Sequence, residues 1–63
     1  MTELELTPGD VVVIQAFDDV PEHLFRVEEV FEDCVTGFAV TGPLAGSYGE
    51  PALEMIVKLV STN

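Results

Sequence analysis

The chain has 63 residues, with 12 Asp and Glu against 2 Lys and Arg, giving a formal charge of −10. That balance excludes binding DNA or RNA through phosphates, since only Arg26 and Lys58 could neutralise them, and an anionic membrane surface repels it for the same reason. With 48% apolar residues the chain is too rich in aliphatics for an acidic disordered segment, so one small domain spanning residues 1–63 is expected.

At the start, Leu4 and Leu6 alternate with Glu3 and Glu5, a period of two that suits a short edge strand. Thr7-Pro8-Gly9-Asp10 is a turn: proline presets φ, glycine allows the bend, and the aspartate bonds nearby backbone. The β-branched run Val11–Phe17 predicts a strand, closed by a second turn at Asp18-Asp19-Val20-Pro21. Residues His23–Phe31 predict another, with Phe25 and Val27 facing inward and Leu24, Arg26 and Glu28 facing the other way. Glu28-Glu29 breaks that phase, as a β-bulge would, and Val30 then turns inward if Phe31 does not.

Glu32-Asp33 reads as a tight hairpin turn into a strand over Cys34–Thr41. Within it Gly37 marks a bend or a close approach of backbone to backbone. Residues 42–51, rich in Gly and Pro, read as one long loop, a kind that is often functional. Ala52–Val60 is expected to be a strand with Leu53, Met55, Val57 and Leu59 on one face. The alternative is an α+β fold with a C-terminal helix at about 52–60, for which Pro51 would start the first turn and Glu54 would pair with Lys58.

The predicted fold is therefore all-β, a small curled sheet or SH3-like barrel of about four to five strands. Gly9-Asp10-Val11-Val12-Val13-Ile14 followed by a bulged hairpin resembles the opening of many SH3-like domains, over the first forty or so residues. Gly42-Pro43-Leu44-Ala45-Gly46 is similar in loop chemistry to KOW-type SH3-like domains, in which a Gly-Asp start and such a loop lie together. Here about thirty residues separate the two elements, and the basic residues that would touch RNA are missing, so membership of that family is not adopted.

Cys34 is the only cysteine, so no disulfide forms within the chain, and its acidic neighbours raise a thiol's pKa and make it a poor nucleophile. Met1–Leu6 lacks the basic start and long apolar run of a signal peptide, and no apolar stretch approaches the roughly 20 residues a bilayer demands. A cytoplasmic protein is expected.

Two groups of side chains are candidates for function. Glu28, Glu29, Glu32 and Asp33 form an acidic strip near the hairpin tip, suited to a basic protein surface, with Leu44 and Tyr48 of the long loop as apolar contacts. Asp18, Asp19, Glu22 and His23 carry oxygen and imidazole donors, the basis of an alternative in which a divalent metal or small ligand binds at residues 18–23. Arg26 is expected to pair with acids around it, such as Glu28.

No nucleophile motif or phosphate-binding loop is present, and a one-layer sheet has little volume for ligand sites of roughly 300–1,000 Å³. The expectation is a non-catalytic protein-interaction module with no cofactor, a small acidic accessory or regulatory protein meeting a basic or mixed partner. Apolar residues left on so small a body also suggest a homodimer. A third reading is an acidic mimic of nucleic acid that occupies another protein's nucleic-acid site.

Overall fold

Pro8 and Gly9 turn the chain into its first strand. In the computed structural model, which describes residues 6–61, Gly9 takes φ of 96°, the left-handed value that glycine adopts without steric cost. The predicted edge strand at Leu4 and Leu6 falls mostly outside the described residues. Asp10 closes the turn: its N–H donates to the Thr7 carbonyl at 3.1 Å, and its carboxylate accepts from the Thr7 N–H at 2.9 Å and hydroxyl at 3.0 Å. The side chain is buried, at 1% exposure.

Among the described residues five strands follow: β1 (Val11–Ile14), β2 (His23–Val30), β3 (Val35–Ala39), β4 (Tyr48–Gly49) and β5 (Ile56–Ser61). They form one antiparallel sheet in the order β4-β3-β2-β1-β5. The fold is all-β and the sheet remains open, with β4 and β5 as its edges. Of the two architectures expected, the curled sheet is the one present. The C-terminal segment is a strand, preceded by a single 3-10 turn, Leu53–Met55, and no α-helix occurs among the described residues.

Alternation sorts the side chains into two faces. Val12 and Ile14 of β1 lie opposite Phe25 and His23 of β2, and Phe25 lies opposite Ala39 of β3. Together with Val27, Val35 and Ile56, the apolar members of this set form the core. Leu6, Phe17, Leu53, Met55 and Leu59 pack around it, half-buried. The opposite, outer face carries Val13, Leu24, Arg26, Phe38 and Tyr48.

The predicted bulge is present: the β2–β3 register shifts between Val27 and Glu29, so Glu28 is the extra residue. Val30 then pairs with Val35, yet it is 40% exposed, because the sheet ends there. Gly37 sits opposite Val27, where a Cβ would run into the Arg26 carbonyl oxygen. The close approach of backbone to backbone is thus the reason for this glycine.

In β5 the expected faces are redistributed. Register shifts between Val11 and Val12 and between Val13 and Ile14 leave Val60 and Val57 as extra residues on β5. Ile56 is buried and Leu59 half-buried, but Val57 is 51% exposed and does not join Leu59 on the core side. The long loop is also shorter than its composition suggests. Tyr48–Gly49 is a strand, and two turns, closed by Ala45 N–H to Gly42 and Ser47 N–H to Leu44, fold residues 42–47 back on themselves.

Candidate functional site

The β3–β4 pairing places Phe38 beside Tyr48 on the outer face. Their rings meet edge to face with centroids 5.7 Å apart, although Phe38 is 43% and Tyr48 58% exposed. Aromatic pairs in this geometry are favourable beyond the area they bury. Thr36 of β3 is buried close by, and the Tyr48 hydroxyl donates to Glu50 Oε2 at 3.1 Å. Partial desolvation first, and then the Glu50 carboxylate, push the Tyr48 hydroxyl above its ordinary value, with Thr36 opposing and Glu29 adding through its charge. Tyr48 is therefore an uncharged, exposed aromatic set among carboxylates.

The same face carries Arg26 and Glu28, which pair at 3.4 Å through the guanidinium Nε. Both are well exposed, so this pair contributes only about 0.5 kcal/mol. Val40, exposed beyond the end of β3, extends the apolar surface next to Phe38 and Arg26.

Of the residues predicted for partner contact, the structure brings Glu28, Glu29 and Tyr48 to this outer face. Glu32 and Asp33 form the hairpin tip instead, closed by Phe31 N–H to the Cys34 carbonyl at 2.8 Å. Leu44 lies at the opposite end of β3 and belongs to a second feature. Phe38, Thr36 and Glu50 were not singled out from sequence; only the strand register reveals that they surround Tyr48.

That second feature is a pocket of about 360 Å³ on the inner face, beside β4. Its floor is Ile14, Phe25 and Ala39, and Phe17, Leu44 and Met55 form much of its wall. Little volume was expected from a single-layer sheet. The volume arises because the sheet curls without closing, so the concave side between β4 and the Phe17 and Met55 side chains stays unfilled. Its size is at the lower end of the range typical for ligand sites.

His23 also lines this pocket and is 6% exposed. Its Nδ1 lies 2.9 Å from the Pro21 carbonyl oxygen, which can only accept, so Nδ1 carries a proton and Nε2 is the ring atom left for other contacts. The ring tilts against Phe17 at 6.2 Å. Asp18 and Asp19 instead form the tip of a two-residue hairpin held by paired Phe17–Val20 backbone bonds of 2.9 and 2.7 Å. Asp18 takes a left-handed φ of 48°, which aspartate tolerates better than most residues. Glu22 is exposed. Among the described residues no group of three or more His, Cys, Asp or Glu side chains is disposed to hold a metal ion. The donors proposed from sequence are thus not gathered into a ligand set.

Cys34 is half-buried beside the hairpin tip. Partial desolvation, then the Asp33 carboxylate and more weakly Glu50, push its thiol above the ordinary value of 9.0. Alkylation at pH 8 is accordingly expected to be slower in the folded chain than in urea, and Asp33→Asn is expected to speed it. A raised folded-state pKa contributes stability that is fully present below about pH 9 and lost as the pH rises through the folded value. Thermal melts from pH 7 to 11 check this.

Comparison of this chain with family models, curated proteins and solved structures finds no match. Among the described residues no helix is long and apolar enough to cross a membrane.

Proposed function

We propose that this chain is a non-catalytic, cytoplasmic protein-interaction module, a small acidic accessory or regulatory protein that meets a basic or mixed partner surface. The observation that supports it best is the exposed Phe38–Tyr48 pair set among Glu28, Glu29 and Glu50 on the outer face. Aromatic side chains give large contact area at low entropic cost, and they are enriched at protein interfaces. Carboxylates around them speed encounter with a basic surface and select against acidic ones. The overall charge of −10 acts in the same direction at longer range.

The test compares capture by the wild-type chain with capture by Tyr48→Ser and by Glu28→Lys/Glu29→Lys, each at 50 mM and 500 mM salt. A defined basic protein is expected on the wild type at low salt. It should be lost at high salt, and each variant should weaken it by at least about tenfold, the loss expected when an interface anchor is removed. Equal capture by all three chains, or none by any, overturns the proposal.

A further inference from the structure

The edge of β4 and the pocket beside it are two halves of one surface. Ala39 N–H donates to the Ser47 carbonyl at 3.1 Å and Val35 N–H to the Pro51 carbonyl at 3.0 Å. In an extended antiparallel strand such groups alternate in direction. The Ser47 and Pro51 carbonyls thus point to β3, as do the backbone groups of Gly49 between them, and Tyr48 and Glu50 direct theirs off the edge of the sheet. Among the described residues no other strand pairs with that edge. Immediately beside it on the inner face lies the apolar pocket, and on the outer face stand Phe38, Tyr48, Glu29 and Glu50.

We propose that this edge accepts an extended segment of a basic partner protein as a sixth strand, with an apolar side chain in the pocket and Lys or Arg at the positions on either side. This rests on the protein-interaction function proposed above and specifies its mode. The pattern follows from the pleat. Successive residues of an added strand point to opposite faces, so every second one meets the pocket and the others meet the acidic outer face. Charge complementarity selects the occupant: the outer side presents carboxylates near Tyr48, and a strand with acidic side chains there is repelled. The pocket, at about 360 Å³, suits one large aliphatic or aromatic side chain with room to spare.

The test titrates the ¹⁵N-labelled full chain with acetyl-Lys-Val-Lys-Phe-Lys-Val-Lys-amide at 50 mM salt. A control peptide of the same composition, acetyl-Lys-Lys-Val-Phe-Val-Lys-Lys-amide, breaks the alternation. Saturable shifts are expected at Phe17, Gly49 and Met55, with the control at least about tenfold weaker. Glu50→Pro removes an outward N–H without touching the ladder to β3, and should weaken binding by about tenfold; Glu50→Gln, which removes only the charge, should do so by about threefold. Hydrogen exchange of the Tyr48 and Glu50 amides in the wild-type chain, slowed at least about tenfold by the alternating peptide, reads the pairing directly and does not depend on the variants folding.

Equal binding of both peptides, with shifts centred on Phe38 and Tyr48 and unchanged amide exchange, overturns edge pairing and leaves the basic-partner function standing. No binding of the alternating peptide at millimolar concentration also overturns it, and the capture experiment then decides separately on the broader function.

Discussion

Replacing Gly37 with alanine is expected to unfold most of the chain at room temperature. The added Cβ would run into the Arg26 carbonyl oxygen and stand 3.0 Å from Phe25 Cε1. A flexible side chain could swing away, but a backbone carbonyl within a strand cannot. The collision is relieved only by parting β3 from β2, the pairing that holds Phe25 against Ala39 and Val27 opposite Gly37. Overpacking typically costs about 1–3 kcal/mol and occasionally more, and a collision with a backbone carbonyl that cannot move lies at or beyond the top of that range. A 63-residue chain has only about 3–9 kcal/mol of stability in total, at 0.05–0.15 kcal/mol per residue. Gly46→Ala is the matched control. Nothing lies within 4 Å of its Cβ position, but φ is 87°, so the cost is conformational alone, about 1 kcal/mol. Urea denaturation followed by circular dichroism should show a modest shift of midpoint for the second variant and loss of the folded baseline for the first. A Gly37→Ala midpoint near wild type would mean that β2 and β3 are not in this register.

That collision was partly legible in the sequence. A glycine amid Val-Thr and Phe-Ala marks either a bend or a close backbone approach, and only the register decides between them. The bulge at Glu28 was legible because the alternation of Phe25 and Val27 fails at Glu28-Glu29. By contrast, β4 was hidden. A strand of two residues between Ser47 and Glu50 has no periodicity to read, and the surrounding Gly and Pro signal only a loop. In β5 the composition announced a strand, but its faces depend on where β1 tolerates extra residues, a property of the pairing and not of β5. The candidate site shows the same division. Tyr48 stood out as an isolated aromatic, whereas its neighbours Phe38, Thr36 and Glu50 are assembled by pairing. The pocket joins Phe17, Leu44 and Met55 from segments far apart along the chain, so no local pattern could announce it.

Asp10→Ala is expected to produce the second-largest loss of stability, about 2 kcal/mol. Aspartate in a Pro-Gly turn is ordinarily an exposed residue bonding its own backbone, yet this one is 1% exposed. Its carboxylate holds both the N–H and the hydroxyl of Thr7, at 2.9 and 3.0 Å, and hydrogen bonds to a charged group are each worth about 1.5–3 kcal/mol. Thr7 itself is exposed, so water takes over part of its donor capacity when the acceptor is lost, which keeps the expected cost below the sum of two such bonds. The position matters because of what the turn is attached to. Gly9 N–H donates to the Val27 carbonyl at 2.7 Å and Val27 N–H to the Asp10 carbonyl at 2.8 Å, so the turn is fastened to β2 beside its bulge. Asp10→Asn keeps one oxygen for the Thr7 N–H and presents an amide to the hydroxyl, and is expected to cost about 1 kcal/mol. Thr7→Ala removes only the hydroxyl bond. A double-mutant cycle between Thr7→Ala and Asp10→Ala should then give a coupling energy of at least about 0.5 kcal/mol in urea denaturation. Strict additivity would mean that the aspartate is retained for contacts other than Thr7, and that the turn is held to β2 by its backbone bonds alone.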